Sequence, residues 1–251
     1  MEEPTQKTKK PQTSTLIDAR LRKLRDLQEL GVSPYSTGFV PDTSAEDFKK
    51  SFDDYKEAEP LDATVRMAGR IMFFRAMGKA SFVKLRDASG DFQAYLSRES
   101  LGEGSYGLLK KLDVGDIIGV EGKPFRTRTG ELSLLTHHFK LLTKSIRPLP
   151  EKWHGLSDVE TRYRQRYVDL IVNPEVGEIV RKRSRIISQL RDFLTGRGFT
   201  EVETPMMQAI PGGATAKPFE TYHHSLDRRL FLRIAPELYL KRLLVGGFEK
   251  V

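Results

Sequence analysis

The sequence predicts a β-barrel followed by an α+β domain, and three observations lead to this fold class. Residues 61–146 contain short runs of strand-like alternation, separated by turn-forming Gly, Asp and Ser. Only one helical pattern interrupts these strands. Residues 176–251 instead begin with a long helical pattern and continue into short strand patterns. A linker that contains Pro148 and Pro150 is predicted at 147–175, between the two domains.

The order of the elements in the first domain indicates which barrel it forms. Strands are predicted at 64–74, 80–87, 92–96, 117–120 and 132–142, with a helix at 99–112. Turn residues at Asp87–Gly90 and Thr127–Gly130 separate neighbouring strands. The order β-β-β-α-β-β over about 80 residues is that of the OB-fold, a five-stranded barrel that often binds oligonucleotides.

The residues ahead of the barrel divide into a tail and a helical segment. Residues 1–15 are polar and poor in aromatic side chains, which predicts a disordered tail. Within the segment 16–60, leucines at mostly three- and four-residue spacing predict an amphipathic helix that ends at Gly31. Its other face carries Arg20, Arg22, Lys23 and Arg25. We expect these side chains to face solvent, with contact to a phosphate backbone as the alternative.

The second domain is predicted to start with a long helix at 176–194, which ends near Gly196 and Gly198. A strand at 199–205 then runs into Pro205. A short strand at 231–234 and a helix at 237–244 follow.

Composition limits the classes of function. The 251 residues include 42 Lys and Arg against 34 Asp and Glu, a net charge of +8. This charge permits a polyanionic partner such as nucleic acid, although a generally basic surface would give the same balance. The chain has no cysteine, so disulfides and thiolate metal sites are excluded and a cytoplasmic location is expected. No apolar run is long enough to predict a membrane-spanning helix.

Five segments share one resemblance: Met67–Arg70, Met77–Phe82, Gly198–Pro205, Ile210–Phe219 and Arg233–Lys241. They resemble segments of one enzyme family, the class IIb aminoacyl-tRNA synthetases, and in particular its lysine-specific members. Two segments are similar to the start of the anticodon-binding barrel in that family: Met67–Arg70 and Met77–Phe82. Gly198–Pro205 resembles motif 1 of class II synthetases, and Ile210–Phe219 and Arg233–Lys241 resemble segments of the lysine-specific enzymes. The resemblance covers nearly the whole chain after the predicted tail.

This resemblance implies an OB-fold anticodon-binding domain followed by the start of a class II catalytic domain with an antiparallel sheet. The implied activity is the ATP-dependent ligation of lysine to its tRNA through lysyl-adenylate. The implied partners are the tRNA for lysine, L-lysine, ATP and a second copy of the chain. The motif 2 and motif 3 arginines, and the carboxylates that hold Mg²⁺, are expected beyond Val251. No catalytic residue and no metal ligand is therefore assigned within the sequence.

The resemblance also assigns anticodon contacts on the barrel. It implies that Phe82 stacks on a base, that Gln93 bonds to a base edge, and that Glu131 lies near another edge. Arg75 lies among phenylalanines, a mixture typical of nucleic-acid-binding grooves. Without the resemblance, a core position is the better interpretation for Phe82, and Glu131 could be an ordinary exposed loop acid.

Three further residues are assigned in the second domain. The resemblance implies that the backbone of Gly213 and the carboxylate of Glu237 meet the α-ammonium group of lysine, and that Pro205 lies at a dimer interface. The alternatives are a flexible glycine turn at Gly213 and a helix-start acid at Glu237.

Two other functions remain open at this stage. The chain could act only as an RNA-binding and dimerising fragment without catalysis. It could also belong to the aspartyl or asparaginyl ligases, which share the barrel and motif 1, although the loop Gly212–Ala216 favours the lysine enzymes.

Overall fold

A computed structural model of the chain describes residues 13–150 and 156–251. These residues fall into two compact units, Met1–Gly155 and Leu156–Val251. Residues 1–12 of the predicted tail and residues 151–155 of the predicted linker lie outside the described residues. Thr13–Thr15 were predicted to be disordered, but they form the start of a helix. Polar side chains can occupy the first turn of a helix, so the polar composition of the tail did not mark where the helix begins.

The first unit contains a closed barrel whose strands follow one another in the order β1-β2-β3-β5-β4. The strands are β1 (Val65–Met77), β2 (Ala80–Arg86), β3 (Asp91–Ser97), β4 (Ile117–Arg126) and β5 (Leu132–Thr143). Neighbouring strands are antiparallel, except for β3 and β5, which are parallel. The predicted OB-fold barrel is thereby confirmed.

Alternation along the strands decides which side chains fill the barrel. On β2, Val83 and Leu85 are fully buried while Phe82 and Lys84 lie on the other side of the strand. The register of β1 against β2 shifts between Ile71 and Phe73, which marks a β-bulge. After this bulge Phe73 is 48% exposed whereas Phe74 packs against the core.

The helices of the first unit are α1 (Thr13–Glu29), α2 (Ala45–Phe52), α3 (Arg98–Leu101) and α4 (Glu103–Leu108). Two basic side chains attach α1 to the barrel. Arg20 donates to the carbonyl oxygens of Val114 (2.9 Å) and Ser145 (3.0 Å), and Lys23 pairs with Asp113 at 2.6 Å. The expected solvent-facing role is therefore wrong for these two residues, because backbone carbonyls and a carboxylate lie within their reach.

A buried ion group lies beside this contact. The Lys144 side chain is fully buried, and its Nζ lies 2.6 Å from Asp113 and 2.8 Å from Asp116. Burial alone would raise the pKa of Asp113, but hydrogen bonds from Lys144 and Lys23 outweigh it and hold the pKa of Asp113 below its ordinary value. The group connects the loop before β4 with the end of β5.

The second unit combines four helices with a three-stranded antiparallel sheet of order β6-β8-β7. The described helices are α5 (Val159–Arg164), α6 (Arg166–Val172), α7 (Pro174–Thr195) and α8 (Glu237–Val245). The strands are β6 (Met207–Gln208), β7 (Glu220–His223) and β8 (Arg228–Leu232).

Helices α5 and α6 lie within the segment predicted as a linker, 147–175, which is thus partly helical. The carboxylate of Asp169 is fully buried and accepts hydrogen bonds from Arg162 (2.9 Å) and Asn173 (2.7 Å). Such short helices show little hydrophobic periodicity in the sequence. Polar contacts hold α5 and α6 together.

The predicted strand at 199–205 is wrong: these residues form no strand in the structure. A strand requires a partner for its backbone groups. Within the described part of the chain, Thr200 donates one backbone hydrogen bond to Lys250, and Pro205 has no N–H to donate.

Candidate functional site

Three aromatic rings form a row on the outer face of the barrel. Phe82 and Tyr95 are cross-strand partners on β2 and β3, and their ring centroids lie 4.9 Å apart. The ring of Phe125 on β4 meets Tyr95 edge-on at 5.8 Å. The three rings are half-buried, so each keeps surface on which a planar ligand could stack. We call Phe82, Tyr95 and Phe125 the aromatic row.

Polar side chains flank the aromatic row. Arg75 on β1 is the cross-strand partner of Phe82 and is exposed. Gln93 is two residues before Tyr95 on β3, so both side chains lie on the same face. Glu131 is exposed in the loop that precedes β5. Phe82, Arg75 and Gln93 therefore share the face, while Glu131 lies at its border next to Ser133.

Gln93 has a defined partner on the neighbouring strand. Its Nε2 donates to Ser133 Oγ over 2.8 Å, and Ser133 Oγ donates to the carbonyl oxygen of Glu131 over 3.2 Å. The amide of Gln93 is thus held in one place on the face before any ligand arrives.

A second polar group lies along the same two strands. Asp91 pairs with Arg86 at 2.5 Å and with Lys84 at 3.1 Å. Burial would raise the pKa of Asp91, but hydrogen bonds from Arg86 and Lys84 outweigh it and lower that pKa. The one carboxylate balances only one of the two cations, so this group keeps positive charge on the face. Arg75 is the direct cross-strand partner of Phe82.

Two members of the aromatic row, Tyr95 and Phe125, were not among the residues singled out from the sequence. Tyr95 could have been found from its two-residue spacing from Gln93. Phe125 lies beyond the predicted end of β4 at Val120, because Gly122 and Pro124 indicate the end of a strand.

In the second unit, the structure brings Gly213 and Glu237 together. Gly213 has φ +91°, and a Cβ placed on it would lie 3.2 Å from Glu237 Cβ and 3.3 Å from Ala235 Cβ. A Cβ on Gly212 would lie 2.7 Å from Leu238 Cδ1. The Gly212–Gly213 loop therefore packs closely against the first residues of α8, as a loop with glycines can do.

Glu237 is the first residue of α8, and its side chain is 45% exposed. Its carboxylate pairs with Lys241 at 2.5 Å, one helical turn further on. A carboxylate at a helix N-terminus is favoured by the helix dipole, so capping and ligand binding are compatible at this position.

A cavity of about 480 Å³ lies elsewhere in this unit. It is bounded mainly by the C-terminal half of α7, the segment Phe199–Thr204 and Leu240 of α8, and its lining does not include Gly213 or Glu237. Outside this cavity α7 exposes apolar side chains, among them Ile179 (62%) and Ile186 (64%). Pro205 is exposed as well.

Within residues 13–150 and 156–251, no group of three or more His, Cys, Asp or Glu side chains could hold a metal ion. No helix in that part of the chain is both long enough and apolar enough to cross a membrane.

Two family profiles match the sequence. Residues 65–142 match the OB-fold nucleic acid binding domain of the tRNA anti-codon family, and residues 158–251 match the class II tRNA synthetases (D, K and N). Lysine–tRNA ligase from Syntrophomonas wolfei is 56% identical over 95% of the chain, and that from Carboxydothermus hydrogenoformans is 55% identical over 94%.

The chain belongs to the lysine–tRNA ligase family. That family is one of enzymes. The chain spans about half the length of the curated relatives it matches, with 47% of the Syntrophomonas wolfei protein covered. Lysine–tRNA ligase from Xylella fastidiosa is 56% identical, and the match covers 48% of that protein. These relatives favour the lysine enzymes over the aspartyl and asparaginyl ligases, which remained open from the sequence.

Membership of this family explains the two units. The barrel corresponds to the OB-fold anticodon-binding domain of that family, and the second unit corresponds to the start of its class II synthetase domain. The aromatic row lies in the first unit and the Gly213–Glu237 pair in the second.

Proposed function

We propose that this chain contributes the anticodon-reading face and the lysine-binding loop to the ATP-dependent ligation of lysine to its tRNA. The observation that supports it most strongly is the aromatic row with Arg75 and Gln93 beside it. Single-stranded RNA bases are read by stacking on aromatic rings and by hydrogen bonds to base edges. The face offers a ring at Phe82, an amide at Gln93 and a cation at Arg75 for the phosphate backbone.

The lysine-binding role rests on the contact between Gly213 and Glu237. A backbone without a Cβ lets the α-amino end of an amino acid come close, and the carboxylate of Glu237 offers the opposite charge. In the structure this carboxylate pairs with the ammonium group of Lys241, one turn further along the same helix. We propose that bound lysine places its α-ammonium group there.

The reaction has two steps. The carboxylate of lysine attacks the α-phosphate of ATP, which gives lysyl-adenylate and releases pyrophosphate. A terminal hydroxyl of the tRNA then attacks the carbonyl carbon of the adenylate and releases AMP. Chemistry of this kind depends on positioning and on charge stabilisation.

We further propose that the chain forms a homodimer through α7 and the segment that ends at Pro205. The exposed apolar side chains of α7 support this interface, since contiguous apolar surface of this kind marks association sites. We place the protein in the cytoplasm, because the relatives named above come from bacteria, which charge their tRNA there.

The test of the proposed function uses the purified 251-residue chain in two assays. Binding of an RNA stem-loop that carries the lysine anticodon tests the barrel, and lysine-dependent exchange of pyrophosphate into ATP tests adenylate formation. Binding together with exchange supports the full proposal. Binding without exchange supports the alternative, a fragment that binds RNA and dimerises without catalysis. Failure to bind the stem-loop contradicts the anticodon-reading role.

A further inference from the structure

Gln93, Ser133 and the backbone of Glu131 form a continuous chain of hydrogen bonds on the face of the barrel. Gln93 and Ser133 are partners on the parallel strands β3 and β5. Gln93 Nε2 lies 2.8 Å from Ser133 Oγ, which lies 3.2 Å from the carbonyl oxygen of Glu131. Ser133 is 0% exposed, so its hydroxyl depends on these two partners.

The direction of this chain follows from counting hydrogens. A serine hydroxyl has one hydrogen, and a backbone carbonyl can only accept. The Ser133 hydrogen therefore goes to Glu131, and the Ser133 oxygen must accept from Gln93. Only the nitrogen of the Gln93 amide can donate. The donors and acceptors around Ser133 therefore fix the orientation of the Gln93 amide.

The carbonyl oxygen of Glu131 is itself held in place. It accepts a second hydrogen bond, over 3.0 Å, from the backbone N–H of Thr127 across the turn. The fixed turn thus orients the Ser133 hydroxyl, and the hydroxyl orients the Gln93 amide. The amide oxygen of Gln93 consequently points away from Ser133, where a ligand can reach it.

We propose that Ser133 is a positioning residue that makes Gln93 present its amide oxygen to an anticodon base and so selects uracil over cytosine. This inference rests on the proposed function, in which the barrel face reads a lysine anticodon. Uracil carries a hydrogen on N3, whereas N3 of cytosine is an acceptor. An oxygen fixed opposite N3 bonds to uracil and opposes cytosine. An amide free to rotate would turn its NH₂ group toward cytosine and accept both bases.

The selection matters for this family because the genetic code gives lysine the anticodons UUU and CUU. Both anticodons have uracil at their second and third positions. Exchange of either of these two uracils for cytosine gives the anticodon of another amino acid. Hydrogen-bonding sites reject the wrong partner strongly when a buried polar group would be left unpaired. Because the hydrogen bonds through Ser133 hold the Gln93 amide in one orientation, its oxygen would be left unpaired opposite cytosine.

The test measures binding of the full chain to four stem-loops, the UUU loop and its three single exchanges of uridine for cytidine. The discrimination ratio is the affinity for the UUU loop divided by the affinity for a loop with cytidine at one position. In the wild-type protein this ratio is expected to be about tenfold or more at one position. In Ser133→Ala, that ratio is expected to fall to about threefold or less, while the affinity for the UUU loop changes by less than about threefold. Ser133→Thr keeps the hydroxyl and is expected to keep the ratio.

Ser81→Ala is the matched control. Ser81 is also a buried barrel serine, 2% exposed, and its hydroxyl lies 3.3 Å from the hydroxyl of Tyr106. This variant loses a serine hydrogen bond of similar burial but is expected to keep the wild-type ratio. Thermal unfolding of each variant verifies that the barrel is folded.

A double variant separates positioning from a general structural effect. Gln93→Leu is expected to abolish the ratio, and adding Ser133→Ala to it should change nothing further. A wild-type ratio in Ser133→Ala would overturn the role of Ser133 but not the anticodon-reading role of the barrel. An equal effect of Ser133→Ala in the presence and absence of Gln93 would have the same meaning. A wild-type protein that discriminates at none of the three positions overturns the anticodon reading and this inference together.

Discussion

A Cβ on Gly213 would lie 3.2 Å from the Cβ of Glu237, so the loop of Gly213 and the first residue of α8 are in close contact. At φ +91° the backbone of Gly213 also has a conformation that side chains with a Cβ rarely adopt. The proposed lysine site thus depends on a missing Cβ in two ways, through conformation and through space.

The first prediction concerns this contact. Gly213→Ala is expected to destabilise the second unit by about 1–3 kcal/mol, because of the strained φ, and to weaken lysine binding measured by calorimetry. Gly247→Ala is the control, since Gly247 has φ +105° but nothing within 4 Å of its Cβ position. It should lose stability and keep lysine binding. Equal lysine binding by both variants would contradict the proposed site.

The second prediction concerns the aromatic row. Phe82→Ala is expected to weaken binding of a lysine-anticodon stem-loop by about 1–3 kcal/mol, because one base–aromatic stack is lost. Tyr35→Ala is the control, since Tyr35 is an aromatic side chain of the same unit, 57% exposed and outside the row. Fluorescence anisotropy measures both. Unchanged binding by a folded Phe82→Ala protein would exclude the stack.

How far the sequence predicts this fold is clearest on the barrel. The strand predicted at 80–87 lies at Ala80–Arg86 in the structure, because the strand signal is local to one segment. The core position favoured for Phe82 without the family resemblance is wrong, since Val83 and Leu85 fill the barrel instead. The end of β4 was missed because Gly122 and Pro124 suggest a break. The structure explains the glycine: a Cβ on Gly122 would lie 2.2 Å from the carbonyl oxygen of Leu135 on β5. Gly122 is thus required by a contact between two strands, and a local sequence pattern does not contain information on such contacts.

The candidate site could likewise be predicted only in part from the sequence. Phe82 and Gln93 were singled out through resemblance to a family, and the structure places them on adjacent strands of one face. Tyr95 and Phe125 complete the row only because β3, β5 and β4 are neighbours in the closed barrel. Likewise, the spacing of Arg20 and Lys23 on α1 indicated an exposed face, and only the position of the barrel gave them partners.

The third prediction concerns the buried ion group. Lys144→Met is expected to destabilise the first unit by about 3–5 kcal/mol, because two carboxylates lose their buried partner. Lys50→Met is the control: Lys50 pairs with Glu46 on the surface with its side chain 70% exposed, and should cost less than about 1 kcal/mol. Denaturant unfolding measures both, and similar losses would contradict the importance of burial.

The fourth prediction is the effect of acid on the same group. The pKa of Asp113 is lower in the folded protein than its ordinary value of 3.8. The unfolded chain therefore binds this proton first as the pH falls. The resulting stabilisation is complete well above pH 3.8 and is lost as the pH falls through the lower, folded pKa.

Asp113→Asn tests this dependence on pH. The variant is expected to be less stable at pH 7 and to lose less stability on acidification than the wild type, as measured by denaturant unfolding between pH 7 and about pH 3. Identical pH profiles for the two proteins would show that Asp113 does not contribute to the acid sensitivity.

The fifth prediction concerns the apolar face of α7. Sedimentation of the chain at micromolar concentration is expected to show a dimer, and Ile186→Lys is expected to shift it to the monomer, because a charge would be buried without a partner. Arg183→Gln changes an exposed residue of the same helix and should leave the dimer intact. A wild-type monomer would show that α7 is not a sufficient interface.

The contacts of Arg20 have a consequence for synthesis on the ribosome. Arg20 bonds to the carbonyls of Val114, Ser145 and Arg147, of which the last lies 127 residues further along the chain. At about 5–20 residues per second, roughly 6 to 25 s pass before that partner is made. During this time the apolar stripe of α1 has no barrel to cover it. Until then α1 cannot complete its contacts with the barrel, and its apolar side chains remain accessible to chaperones.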